Sequence, residues 1–262
     1  MKIYIMTDIE GIAGVRRASE TDPSKPEFAQ ACRYFEKEVN AAIAGAFDGG
    51  AKEVLVCDSH HGGFNFKAQN LDPRARLCEN NGIIKLMAEI DSSFDGYFNI
   101  GHHAKAGTMH AFLEHTQCGT SVYDYLINGV SYGEIGQQLL LAGDYGVPQL
   151  MISGDRKACE ESESIYPGSL AVITKEAYAR NKVNCIHPDL SAAMVRETCK
   201  QSMKLIGKLK PFKIKGPYDI RLTFTQTSYA DKIVCSKPFL ERLDGRTVRY
   251  ITDDVKNILV PF

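Results

Sequence analysis

The stretch Lys2-Ile3-Tyr4-Ile5-Met6-Thr7-Asp8-Ile9-Glu10-Gly11 constrains this chain more than any other. A short, mainly apolar, β-prone run leads straight into two carboxylates and a glycine. Such a run reads as a strand buried on both faces, as in a parallel sheet. Its carboxyl end, where open α/β sheets hold ligands, then carries Asp8 and Glu10. Two carboxylates brought together there repel unless a proton or a cation holds them. The expected cation is a metal ion, met by histidines from later in the chain.

The pattern of polar strand ends recurs. Residues 28–47 read as a helix, with Phe28, Ala31, Phe35, Val39, Ile43 and Ala46 forming one apolar stripe and Gly49-Gly50 closing it. Residues 53–57 follow as a second strand, so strand, helix and strand make a parallel βαβ unit. That strand ends in Asp58-Ser59-His60-His61-Gly62-Gly63. Residues 96–100 form another strand, ending in Gly101-His102-His103-Ala104. Three strand ends thus offer metal-capable side chains. Gly133-Glu134-Ile135-Gly136 opens a helix, so Glu134 sits in a first turn, where the helix dipole alone suits its charge.

The rest of the chain supplies the frame. Residues 74–78 read as a shorter strand and 83–90 as a helix. Residues 107–120 form a loop carrying His110 and His115. Residues 121–127 and 130–132 form a hairpin about Asn128-Gly129, a favoured turn pair. Further strands are expected at 147–153, 170–174, 218–225 and 247–252. Further helices are expected after an Asp155 cap to about residue 165, at 188–208 and at 228–236, with a turn at 255–259. The fold class is α/β: a mostly parallel central sheet flanked by helices, with a smaller C-terminal α/β portion. A division into 1–145 and 146–262 is expected, with one intertwined domain as the alternative.

Composition excludes some functions. Lys+Arg 31 against Asp+Glu 32 leaves no basic surplus for nucleic acid. No apolar run is long enough to span a bilayer, and no signal-peptide core precedes the first acid, so a cytoplasmic location is expected. The 8 cysteines show no zinc-site spacing and read as reduced core thiols.

Spacing therefore proposes Asp8, Glu10, His60, His103 and Glu134 as metal ligands. Three carboxylates and two imidazoles suit a pair of divalent ions, zinc first. A shared carboxylate, Asp8, would bridge them, with Glu10 on the same side of the strand. Glu10 and His60 would serve one ion, His103 and Glu134 the other. Zinc acidifies water enough to give a nucleophile near neutral pH. Each residue also has an ordinary reading. Asp58 is a turn former or a partner for His60, Glu134 a dipole charge, and His61, His102, His110 and His187 surface or hydrogen-bonded histidines.

Several segments together resemble the DppA-like D-aminopeptidases, a family of zinc metallopeptidases. Met6-Thr7-Asp8-Ile9-Glu10-Gly11 is similar to their Ser-x-Asp-x-Glu-Gly signature. Val56-Cys57-Asp58-Ser59-His60 resembles their Val-x-Asp-Ser-His segment, and Gly101-His102-His103-Ala104-Lys105-Ala106 their Gly-x-His-Ala-[Arg/Lys]-Ala segment. Ile127-Asn128 through Gly133-Glu134-Ile135-Gly136 is similar as well. The resemblance runs from Met1 to about residue 190. It implies the same five ligands, and prefers His60 over His61 and His103 over His102. It also implies a catalytic histidine in the loop before the hairpin. There Glu114-His115-Thr116 stands where the family has Ser-His-Ser; His110 is the alternative.

The resemblance implies two zinc ions per chain and removal of an N-terminal residue, a D-amino acid such as D-Ala, from short peptides. It further implies a ring-shaped homo-oligomer, a decamer. Two other functions compete. Asp8-Ile9-Glu10-Gly11-Ile12 superficially resembles the Asp-x-Asp-Gly-Thr box of magnesium-dependent haloacid-dehalogenase-like phosphatases, which leaves the histidines unused. A non-catalytic assembly protein would hold metal with no open coordination position.

Overall fold

The first strand, β1 (Lys2–Thr7), is buried from Ile3 to Thr7. Ile3 and Ile5 face one core, and Tyr4 and Met6 another, as in a strand covered on both faces. The computed structural model describes residues 1–80 and 86–262. After β1 come α1 (Phe28–Asp48), β2 (Glu53–Asp58), β3 (Arg76–Glu79), β4 (Gly96–His102), β5 (Val122–Ile127), β6 (Val130–Ser131) and α2 (Glu134–Asp144). Then follow β7 (Gln149–Asp155), α3 (Arg156–Ile165), β8 (Leu170–Ala179), β9 (Lys182–Cys185), α4 (Pro188–Ser202), β10 (Tyr218–Phe224), α5 (Thr227–Ser236), β11 (Glu241–Arg242) and β12 (Thr247–Thr252).

Seven strands form a central sheet in the order β3-β2-β1-β4-β7-β8-β9, parallel except where β9 turns back along β8. The chain leaves β1 for β2 on one side and reaches β4 on the other. The order therefore reverses between β1 and β4, the switch point at which open α/β sheets leave a crevice. Helices α1 and α4 pack on each other and cover the Ile3 and Ile5 face. On the other face, Leu139 and Leu140 of α2 join Tyr125, Ile220 and Leu222 of the second sheet in one apolar core. That second sheet is antiparallel, ordered β11-β12-β10-β5-β6. Its β5–β6 turn has Asn128 at φ 52° and Gly129 at φ 81°, the positive angles of a two-residue hairpin turn. Residue 145 falls between α2 and β7, and each sheet takes strands from both sides of it.

Beyond the ends of β1 and β4 the two backbones nearly touch. Asp8 N donates to Ile100 O at 2.8 Å and Gly11 N to Gly101 O at 2.7 Å. A Cβ on Gly101, at φ +78°, would lie 2.1 Å from Asp8 O, and one on Gly11 2.3 Å from His102 O. Only glycine permits that approach.

Some elements differ from expectation. Of the helix expected at 83–90, residues 83–85 lie outside the described residues. Leu86 to Ile90 form turns instead, because Met87 (φ 54°) and Glu89 (φ 60°) adopt left-handed angles that a right-handed helix cannot contain. β8 runs five residues past Thr174 and is joined by β9, a strand not read from sequence. The helix from Pro188 ends at Ser202 rather than 208, since Ile206 turns extended at ψ 129° after one 3-10 turn. No helix among the described residues is long and apolar enough to cross a membrane. All eight cysteines are free thiols, but Cys118 and Cys235 are exposed rather than in the core.

Candidate metal centre

The five side chains singled out by spacing converge at the crevice between β1 and β4. Their route there differs in one respect. β1 stops at Thr7, so Asp8 and Glu10 lie in the turn that follows, held by Ile12 N donating to Ile9 O at 3.1 Å. Turn geometry, not strand alternation, aims both carboxylates inward. His60 begins a short 3-10 turn two residues after β2. His103 follows β4 directly, and Glu134 is the first residue of α2.

The Asp8 carboxylate stands at the centre. Its Oδ1 is 3.2 Å from His60 Nδ1 and its Oδ2 is 3.3 Å from His103 Nε2. Each imidazole faces a second carboxylate: His60 Nδ1 lies 3.5 Å from Glu10 Oε2, and His103 Nε2 lies 3.5 Å from Glu134 Oε1. His115 Nε2 approaches Glu134 Oε1 at 3.8 Å, with its ring stacked on His103 at 3.8 Å between centroids. Glu134 Oε1 also accepts from Gln117 N at 2.8 Å, which ties the His115 loop to α2.

The outer nitrogen of each ring is already committed. His60 Nε2 donates to Thr21 O at 2.8 Å, His103 Nδ1 to Ala104 O at 2.9 Å, and His115 Nδ1 to Leu113 O at 2.8 Å. A carbonyl only accepts, so those nitrogens carry the protons. In the neutral rings, the inward nitrogens then present lone pairs to carboxylate oxygens. That is repulsive unless a proton or a cation intervenes.

Protons are one solution. Burial opposes charge on His60, but Glu10 and Asp8 outweigh it and hold its pKa well above the ordinary value. Burial likewise opposes charge on His103, and Asp8 and Glu134 overcome it. Burial would raise Asp8, yet the His103 and His60 rings beside it, when protonated, hold it well below the usual carboxylate range. Glu134 is lowered as well, His103 outweighing burial.

A metal is the other solution, and the donor set fits one. Tetrahedral zinc with bonds of about 2.0–2.1 Å separates neighbouring ligand atoms by about 3.3–3.4 Å. The four Asp8, Glu10 and Glu134 separations above bracket that value. The backbone carbonyls that fix the outer nitrogens are the usual supports of metal-binding histidines. Glu10 Oε2 and His103 Nε2 are buried without hydrogen-bond partners, as expected of atoms reserved for an ion. Ligand atoms of Asp8, Glu10 and His103 lie within 4.8 Å of one another, as do those of His103, His115 and Glu134.

The neighbouring residues sort differently. His110 is exposed, its Nδ1 donating to Tyr178 O at 2.9 Å, away from the cluster. His61 stands edge-on to His60 and is exposed, and His187 caps α4. Asp58 does not bond the His60 ring. It accepts from Asn65 N at 2.6 Å and Asn65 Nδ2 at 2.7 Å, and Asn65 in turn donates to His60 O at 2.6 Å.

Sequence reasoning misjudged His102. It is 1% exposed, hydrogen-bonded at neither nitrogen, and 3.9 Å from Asp8 Oδ2. Burial lowers its pKa to about 4, so it stays neutral beside charged neighbours. Lys175 was missed altogether. It is 1% exposed, and its Nζ donates to Glu10 O at 2.5 Å and Val15 O at 2.7 Å. Nothing local distinguishes a lysine of that kind from a surface one.

A cleft of about 860 Å³ opens over the cluster. Asp8, Glu10, His60, His115 and Glu134 line one part of it, and Val122, Phe224, Ile233 and Phe262 form an apolar wall. The geometry agrees with three comparisons. A D-aminopeptidase from Bacillus subtilis (strain 168) is 32% identical over 212 residues, which span 80% of this chain and 77% of that protein. The solved structure of the Zn-dependent D-aminopeptidase DppA from Bacillus subtilis, a self-compartmentalizing protease, matches with a TM-score of 0.95 at 28% identity. That match covers 100% of this chain and 95% of the other. The peptidase M55 family model, described as D-aminopeptidase, matches residues 1–262, and the chain belongs to that family.

Proposed function

We propose that the protein is a zinc aminopeptidase that removes an N-terminal D-residue, such as D-Ala, from short peptides and amides. Two zinc ions would be held by Asp8, Glu10, His60, His103 and Glu134, with Asp8 shared. One observation carries this: the two oxygens of Asp8 face different imidazoles, at 3.2 and 3.3 Å, and each imidazole has its own second carboxylate. Zinc bound there supplies Lewis acidity, polarising a carbonyl and lowering the pKa of water.

The chain's residues do the rest. His115 has Nδ1 committed to Leu113 O, so Nε2 takes up a proton and returns it to the leaving amine. Stacking on His103 fixes the plane of that ring beside the cluster. The substrate's free amine would sit beside the metal or a carboxylate of the cluster, and a cleft of about 860 Å³ suits short chains rather than folded ones. Likeness to a self-compartmentalizing protease supports a ring-shaped homo-oligomer, a decamer in our reading. A magnesium phosphatase is disfavoured, because imidazole nitrogens are poor magnesium ligands.

The test combines zinc titration of chelator-treated protein with hydrolysis of D-Ala and L-Ala dipeptides. About two zinc ions per chain and a clear D preference are expected. One ion per chain would remove the bridge, and an L preference would remove the assigned chirality. His115→Ala should keep its zinc and lose about 10²–10⁴-fold in kcat.

A further inference from the structure

We propose that Arg180 receives the free C-terminal carboxylate of the substrate and so fixes the direction in which a short peptide lies in the cleft. This rests on the peptidase reading above. Among the described residues lining the cleft, Arg180 is the one lysine or arginine. A dipeptide with its N-terminal residue at the cluster carries its carboxylate beyond the scissile bond, and the guanidinium is the one Lys or Arg cation among the described lining residues that can meet it there.

The position of Arg180 is fixed relative to the chemistry. It begins the two-residue turn between Ala179 and Lys182, which pair at the ends of β8 and β9. Leu113 N donates to Arg180 O at 3.0 Å and His110 Nδ1 to Tyr178 O at 2.9 Å, so the hairpin is laced to the loop carrying His115. Arg180 Nη2 and His115 Cβ lie against the same bare position: a Cβ on Gly119 would be 3.5 Å from the first and 3.3 Å from the second. A second cavity, of about 600 Å³, shares Arg180, His115, Gly119 and Val122 with the main cleft. The two spaces therefore meet at the guanidinium, beside the residue assigned to the leaving amine.

The guanidinium also has capacity to spare. Its Nε faces Glu114 Oε2 at 3.4 Å, and the side chain is 43% exposed. Its Nη groups make no hydrogen bond within the described residues. A planar fork of this kind takes a carboxylate through two parallel hydrogen bonds. A plain surface ion pair with Glu114 would contribute little and would not distinguish a peptide acid from its amide.

The experiment compares D-Ala-Gly with D-Ala-glycinamide on zinc-loaded wild type, Arg180→Gln and Arg180→Lys. In Arg180→Gln the acid-over-amide ratio of kcat/KM should fall about tenfold, mainly through KM, and Arg180→Lys should recover part of it. An unchanged ratio overturns the assignment. Should Arg180→Gln not fold, Glu114→Gln frees the guanidinium and should raise the ratio; a fall or no change is contrary evidence. If neither compound is turned over, the peptidase reading fails separately. Calorimetric binding of the same two compounds then decides: tighter binding of the acid, lost in Arg180→Gln, supports the carboxylate site, and equal affinities in wild type overturn it.

Discussion

Two buried charged groups hold the turn after β1, one from each side, and they solve the same problem differently. On the cleft side, Asp8 and Glu10 meet imidazoles whose inward nitrogens face them across a gap that a proton or a metal ion would close. On the other side, Lys175 brings its own charge and donates to Glu10 O and Val15 O. Next to it, Glu38 Oε1 accepts from Ala13 N and from Ser191 Oγ, both at 2.8 Å. At the rear, Lys175 is satisfied by backbone carbonyls and one Glu38 oxygen by Ala13 and Ser191; in the proposed reading the cleft group is completed from outside.

Asp8→Ala tests this contrast most severely. The variant should fold, lose both zinc ions and lose activity by about a thousandfold or more. Full metal content by elemental analysis would mean that Asp8 is not shared. Lys175→Met comes next. It strands the Glu10 carbonyl and leaves Val15 O only the weak Cys185 thiol donor, so chemical denaturation should show a loss of about 2–3 kcal/mol. Zinc affinity should drop about tenfold, because the turn carrying Glu10 loosens. Unchanged affinity would make the two sides independent.

Glu38→Gln is the gentlest test. Burial raises the Glu38 pKa to about 7 from 4.5, so the folded state holds its proton more tightly than the unfolded chain. Its contribution to stability is then greatest below pH 4.5 and is lost as pH rises towards about 7. Glutamine does not titrate. Stability of Glu38→Gln relative to wild type should therefore rise by about 2 kcal/mol between pH 5 and pH 8. A flat difference would show Glu38 ionised as readily as an exposed glutamate.

How much of this was legible depended on whether the signal was local. β1, α1, β2 and the Asn128-Gly129 hairpin were readable because apolar runs, a stripe of three-to-four spacing and a turn pair each act within a few residues. The convergence of Asp8, Glu10, His60, His103 and Glu134 was readable because their segments are polar punctuation between buried strands. Lys175 and Glu38 were not. In sequence they look like solvated charges, and only the pairing of β8 with β9 and the packing of α4 on α1 bury them. The same pairing hid the second half of β8, since Lys175-Glu176-Ala177-Tyr178-Ala179 has no strand pattern of its own. His102 failed for a related reason: its burial comes from the layers on both faces of β4, which no window around it records.

The missing side chains at Gly11 and Gly101 set a limit on how this enzyme can change. Because one methyl group there would collide with a neighbouring backbone, the floor beneath the carboxylates has no slack with which to absorb variation. New substrate preferences must therefore arise in the surrounding loops and hairpins, above a base that admits almost no revision.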